Sequence, residues 1–250
     1  TYLASTMGVA YIRGLQGKDW SQGVVATAKH FVGYGLPEGG LNWAPAHIMP
    51  RELREVYLLP FEAAVREAHV GTIMNGYHEL DGVPCGASKW LMTDVLRGEW
   101  GFEGHVVSDC GALTDIHATH KFTRDGAESA ALALRMGCDI GCDSVYSQFL
   151  AEALERGLVS EAELDLALGR TLATRFKLGM FDPAEMNPYA KTSTDVIRCE
   201  KHRQLAREAA AKSVVLLKNR NNVLPLKKDM RYLYVTGPCA TSVDALMGNY

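Results

Sequence analysis

The feature that most constrains this chain is an alternation of short apolar strand-like runs with amphipathic helical stretches, sustained up to a change of character near Gly179. GVVATAKHF (Gly23 to Phe31) is expected as a strand that ends in charge. PRELREVYLLPFEAAVREAHV (Pro50 to Val70) follows, with Leu53, Val56, Tyr57, Phe61, Ala64 and Val65 at the three- and four-residue steps of an amphipathic helix. GTIMNGY (Gly71 to Tyr77) is the next strand, and SKWLMTDVLRGEW (Ser88 to Trp100) the next helix, with Ser88 placed as its cap. GHVVSDCGA (Gly104 to Ala112), the helix RDGAESAALALRMG (Arg124 to Gly137) and a short strand around CDIGC complete the series. Such alternation implies parallel strands joined by crossover helices.

In a closed (β/α)8 barrel the functional groups stand at the C-terminal ends of the strands. Three expected strands end in polar or ionisable residues: Lys29-His30, Asn75 to His78, and Ser108-Asp109. A full barrel takes about 250 residues, so the expected fold class is α/β with an incomplete (β/α)8 TIM-type barrel, its first strands lying upstream of Thr1. From Gly179 to Glu200 the breakers Gly179, Pro183 and Pro188 interrupt any periodicity, which reads as a linker. Then His202 to Asn219 reads as helix running into strand, NVLPL as a turn and short strand, and RYLYVTGPCA (Arg231 to Ala240) as a strand ending in a Gly-Pro turn. The expected organisation is barrel over 1–182, linker over 183–200, and the start of a second α/β domain over 201–250.

The balance of 26 basic against 29 acidic residues gives nucleic acid nothing to hold, and no apolar run approaches the length of a membrane span. Cys85, Cys110, Cys138, Cys142, Cys199 and Cys239 show no C-x-x-C pair or zinc spacing, so they are read as scattered thiols rather than a disulfide framework. A Cys138–Cys142 bridge has no support, and the redox compartment stays open. The chain starts at Thr1 and stops after DALMGNY without a terminal signature, so it is expected to be cut at both ends.

Why a strand-like run should deliver the acid Asp109 among small residues has three answers. Ser-Asp-Cys-Gly is a strand-to-loop turn in which the carboxylate bonds backbone amides. Alternatively Asp109 is a metal ligand, with Asp115, His117 and His120 supplying partners at a loose spacing. As a nucleophile it must stay ionised while facing a pocket, which takes hydrogen bonds or a nearby cation such as Lys29. Neighbouring strand residues point to opposite faces, so Lys29 and His30 serve one pocket only where their strand opens into its loop. A satisfied structural histidine is the plainer reading of His30 alone.

The motifs AKHFVGYG with Lys29-His30, RELREVYLLPFEAAV, IMNGYHELDGVPC, LMTDVLRGEWGFEGHVVSDCGA and AAKSVVLLKNRNNVLPL occur in one order over nearly the whole chain, and together resemble glycoside hydrolase family 3. The resemblance implies a retaining exo-β-glycosidase with an N-terminal (β/α)8-type barrel and a C-terminal α/β sandwich domain, working without metal or organic cofactor. It implies Asp109 as nucleophile, with Lys29, His30, Met74, Tyr77 and Cys110 in the sugar subsite. The acid/base Glu is expected beyond Tyr250, since Glu99 and Glu103 sit in what reads as a solvated loop. The implied partner is an oligosaccharide or an aryl or alkyl β-glycoside, with no nucleic acid and no membrane. Oligomeric state and compartment stay open, an extracellular or periplasmic site being compatible.

Leu41 stands where many members carry a sugar-contacting Arg, and Cys110 where many β-glucosidases carry Trp, as in a number of β-xylosidase-like members. Both affect the choice between glucose and xylose. The Asp-His dyad of the family's N-acetylglucosaminidases is missing: Tyr34 replaces its second His, and Pro45-Ala46 precede His47, which is read as a loop or packing residue. A reading from another class is a catalytically incomplete fragment or carbohydrate-binding remnant.

Overall fold

The computed structural model describes residues 1–247 and separates the chain into two compact units, Thr1–Lys191 and Thr192–Tyr250. The first opens with α1 (Tyr2–Gln16) and is organised on β1 (Thr27–Phe31), β2 (Thr72–Asn75), the hairpin β3 (Glu79–Leu80) and β4 (Val83–Pro84), and β5 (His105–Val107). β1, β2 and β5 form one parallel sheet in the order β1-β2-β5. This is the α/β arrangement that the alternation implies. Phe31, Ile73 and Val106, one from each strand, are fully buried, and each such side chain contributes roughly 1.5–3 kcal/mol.

The expected helix from Pro50 to Val70 is not continuous. α2 (Pro50–Glu52) passes through a π-helical turn, Leu53–Tyr57, into α3 (Leu59–Arg66). Pro60, in the first turn of α3, has no N–H to give a carbonyl one turn back, and Leu58 N–H instead reaches the Leu53 carbonyl at 2.8 Å. Trp90–Glu99 is likewise π-helical and buries Leu91, Met92, Val95 and Leu96 completely. Ser88 caps it as expected, its Oγ accepting from Leu91 N–H at 3.3 Å.

Four helices follow β5: α4 (Ala112–Ala118), α5 (Gly126–Met136), α6 (Val145–Glu155) and α7 (Glu161–Lys177). Asp125 caps α5 through Glu128 N–H, and Ser160 with Glu163 forms a capping box on α7. The strand expected around CDIGC is reduced to a single parallel bridge between Val107 and Ile140. The Asp139 carboxylate accepts the Val106 N–H at 2.8 Å, so a side chain takes a donor that a backbone ladder would use.

In the second unit α8 (Glu200–Ser213) and the short α9 (Val243–Met247) form, but the strands expected after Val214 and over Arg231 to Ala240 are absent among the described residues. A strand needs a neighbour for its backbone N–H and C=O groups, and here Leu217 and Tyr234 are each 91% exposed. Of the expected second domain, positions 248–250 lie outside the described residues.

Candidate active site

The C-terminal ends of β1 and β5 bring His30 to Asp109, while Lys29 also lines a cavity against α1 and α3. Between Ala28 and Phe31 the register of β1 against β2 shifts, because β1 spends three steps where β2 spends two, from Ile73 to Asn75. A bulge of this kind re-aims side chains, and it falls on Lys29 and His30. Lys29 is exposed and His30 half-buried. Met74, half-buried on β2, is in register with Val107, two residues before Asp109.

Asp109 lies just past β5 and is 3% exposed. Its Oδ1 accepts the Cys110 N–H at 2.8 Å. Its Oδ2 is 3.3 Å from His30 Nε2 without hydrogen-bond geometry, and has no hydrogen-bond partner. A buried carboxylate oxygen left in that condition is costly for a merely structural acid. Gly111 follows at φ 92°, a left-handed conformation that turns the chain from Asp109 into α4. Burial lowers the pKa of His30, Asp109 opposes that shift and Lys29 adds to it. Beside the cation expected in Lys29, the structure places the His30 imidazole against Asp109.

Tyr34, not singled out for the sugar subsite, is a central member of the cluster. Its ring centroid is 4.6 Å from that of His30, 6.1 Å from Tyr77 and 5.7 Å from His78, and its hydroxyl donates to Asn42 Oδ1 at 2.7 Å. A hollow of about 140 Å³ beside it is lined by Pro37, Leu41 and Asn42, which puts Leu41 within the same loop wall. Gly76 leaves the room His78 needs, since a Cβ there would meet the imidazole at 2.8 Å. His78 Nε2 bonds the Val32 carbonyl at 2.9 Å, and burial lowers its pKa. A separate cavity of about 520 Å³, lined by Trp20, Trp100, Phe102 and Lys177, opens near Val70 and Gly104, at the opposite end of β2 and β5.

The reading of all six cysteines as scattered thiols is corrected here. Cys110 and Cys142 are joined by a disulfide, which spacing hides because the partners meet only where the loops after β5 and Ile140 lie side by side. Cys110 is exposed at the site, and Cys142 N–H donates to Ser108 Oγ at 2.8 Å. Cys85 and Cys138 are buried thiols, and burial pushes Cys85 up to about 12.

The residues of the metal alternative turn elsewhere. Asp115 accepts from Thr119, His117 Nδ1 faces Ser129 Oγ at 3.0 Å, and His120 Nε2 faces the Tyr77 carbonyl at 2.8 Å. Among the described residues no group of three or more His, Cys, Asp or Glu is arranged to hold an ion. Glu99 is held by Arg54 through two hydrogen bonds, and His47 lies exposed between Glu38 and Asp81.

Comparison with known proteins bears on this geometry. Residues 1–174 match the glycosyl hydrolase family 3 N-terminal domain. The chain is 41% identical over 233 residues to a probable exo-1,4-β-xylosidase of Aspergillus terreus, covering 91% of this chain and 30% of the relative. It superposes on a β-glucosidase of Erythrobacter marinus with a TM-score of 0.77 and 40% identity, over 89% of this chain and 30% of that one. Against a family 3 exo-β-xylosidase solved with a xylobiose aziridine probe the TM-score is 0.83 at 32% identity, over 99% of this chain and 33% of the other. The chain therefore spans about a third of the length of the proteins it matches. With the family 3 N-terminal domain matched over residues 1–174, most of the chain, this chain belongs to glycosyl hydrolase family 3.

Proposed function

We propose that this chain carries the nucleophile and part of the sugar-binding wall of an exo-acting retaining β-glycosidase, which removes terminal non-reducing β-D-xylosyl or β-D-glucosyl residues. The observation that carries this reading is Asp109 Oδ2, a buried carboxylate oxygen without a hydrogen bond at the C-terminal end of the sheet. In the first step that oxygen attacks the anomeric carbon, and the bond to the leaving oxygen breaks as an acid carboxyl gives it a proton. Water, losing a proton to the same carboxyl, then attacks that carbon and frees Asp109. The two carboxyls of such a mechanism stand about 5–5.5 Å apart.

The bond from Cys110 N–H holds Oδ1 and fixes the plane of the carboxylate. Lys29, His30, Met74, Tyr77 and Cys110 bind the sugar, and Tyr34 packs the wall behind His30 and Tyr77. Nearby acids are engaged: Asp143 accepts from Thr114 and Val145 N–H, and Glu79 pairs with His120. The acid/base is assigned, as the family resemblance implies, to a Glu following Tyr250. Residues 1–182 are read as the later strands of a (β/α)8-type barrel, 183–200 as linker and 201–250 as the start of a sandwich domain. The names of the relatives, two of them β-xylosidases and one a β-glucosidase, support both sugars.

The test is an activated 2-deoxy-2-fluoro β-glycoside, in xylo and gluco forms, given to this chain alone and to the full-length protein, followed by peptide mass mapping. A fluorosugar on the peptide containing Asp109 is expected in the full-length protein, and the faster-labelling sugar names the preference. Label in that protein but not in the chain alone makes these residues an incomplete part of the site. Label on another carboxylate, or none, removes Asp109 from its role.

A further inference from the structure

The side chain of His120 is only 3% exposed, and both its ring nitrogens face acceptors. Nε2 is 2.8 Å from the Tyr77 carbonyl, which only accepts, so that nitrogen donates. Nδ1 is 3.3 Å from Glu79 Oε1. His120 is fixed at the end of α4 by its own N–H, which donates to the Asp115 carbonyl at 2.8 Å. α4 starts directly after Asp109 and the Gly111 turn. His120, 43 residues from Tyr77 in sequence, thereby ties the loop that carries the carboxylate to the loop that carries Tyr77.

The contacts close on themselves. Asp109 faces His30, His30 packs on Tyr34, Tyr34 packs on Tyr77, and His120 returns from the Tyr77 backbone through α4 to Asp109. Three of these links are soft contacts of an imidazole or a ring. The hydrogen bond of His120 is directional and buried, and past the end of the β2–β5 ladder it ties the Tyr77 backbone to the α4 side. We propose that His120 is a positioning residue, which acts through the Tyr77 backbone to set the distance between the sugar-binding Tyr77 and Asp109. This rests on the function proposed above.

The test is a double-mutant cycle in the full-length protein, with turnover of 4-nitrophenyl β-D-xyloside and β-D-glucoside and active sites titrated with the fluorosugar. His120→Ala is expected to lower kcat/KM per active site by about 10- to 100-fold, the size of a misplacement near 1 Å. His120→Gln keeps an N–H for the Tyr77 carbonyl and is expected to recover most of the loss. In a Tyr77→Ala background, His120→Ala is expected to add less than about twofold, because residues in one network are not additive. Independent, multiplying effects overturn the proposal, and so does a loss confined to the fraction of folded enzyme. Hydrogen exchange separates this from the fate of Asp109: His120→Ala must speed exchange of amides 74–80 and His120→Gln must not. Unchanged exchange overturns the clamp even where Asp109 is labelled, whereas failure of labelling with altered exchange leaves the clamp standing and removes only the nucleophile.

Discussion

His30 determines what kind of neighbour Asp109 has. Its pKa is lowered below 6.5 by burial first, while Asp109 pulls it up and Lys29 pushes it down. Burial and Lys29 thus favour the neutral form of the ring 3.3 Å from Asp109, and Asp109 favours the cation. Titrating the His30 ring by NMR is expected to give a midpoint under 6.5, lower still in Asp109→Asn, which loses the raising influence. A midpoint that rises in that variant contradicts the assignment. Under the proposed mechanism the same substitution reduces turnover by on the order of 10⁴- to 10⁶-fold, the range spanned by removal of single members of a catalytic triad. The placement of Asp109 and Lys29-His30 at strand ends was legible in the sequence, because a strand that ends in charge is anomalous within its own few residues. Tyr34 and His120 were not, since a ring among rings and a bond to a distant carbonyl leave no local pattern.

Between elements, two links that the sequence conceals hold the β5 region. The first is Asp139, whose side chain is fully buried: Arg97 donates to it at 2.7 Å, Arg170 at 3.1 Å and Val106 N–H at 2.8 Å. Burial raises the carboxyl's pKa against the two guanidiniums, which pull it down. The π-helical segment, β5 and α7 meet on this one side chain, so Asp139→Ala leaves two cations facing each other and is expected to cost about 3–5 kcal/mol in urea unfolding. A cost under about 1 kcal/mol would show the triad to be dispensable. The second link is Cys110–Cys142, with a sequence separation of 32. Closing such a loop restricts the unfolded chain by about 3–4 kcal/mol. Dithiothreitol is expected to lower the urea midpoint of the native chain and leave that of Cys142→Ser unchanged, and equal responses would argue against the bridge. Alternation was enough to find the parallel sheet, because period and length are local properties. The π-helical turns, the single bridge at Ile140 and the missing strands after Val214 depend on a proline's lost donor, a competing carboxylate and an absent neighbour, none of which periodicity records.

For the whole molecule, the buried histidines set how stability depends on pH. His105 on β5 is lowered to about 4, first by burial and then by Arg175 and Arg97, and its Nδ1 faces Thr174 Oγ1 at 3.0 Å. In the unfolded chain the same ring takes its proton near 6.5, so between 6.5 and 4 the unfolded state binds more protons than the native one. Stability then rises with pH across that window. His105's contribution is complete above 6.5 and is lost as pH falls through about 4. His30 and His78 are shifted in the same direction and act with it. Glu163, lowered to about 2 by the Ser160 backbone and hydroxyl and by Arg135, adds its own loss only below 4.5. The melting temperature is therefore expected to fall from pH 6.5 to 4.5, before Glu163 contributes. His105→Gln, which cannot take the proton, is expected to flatten that slope without removing it, and an identical slope in the variant would mean that His105 is protonated as readily in the folded chain as in the unfolded one.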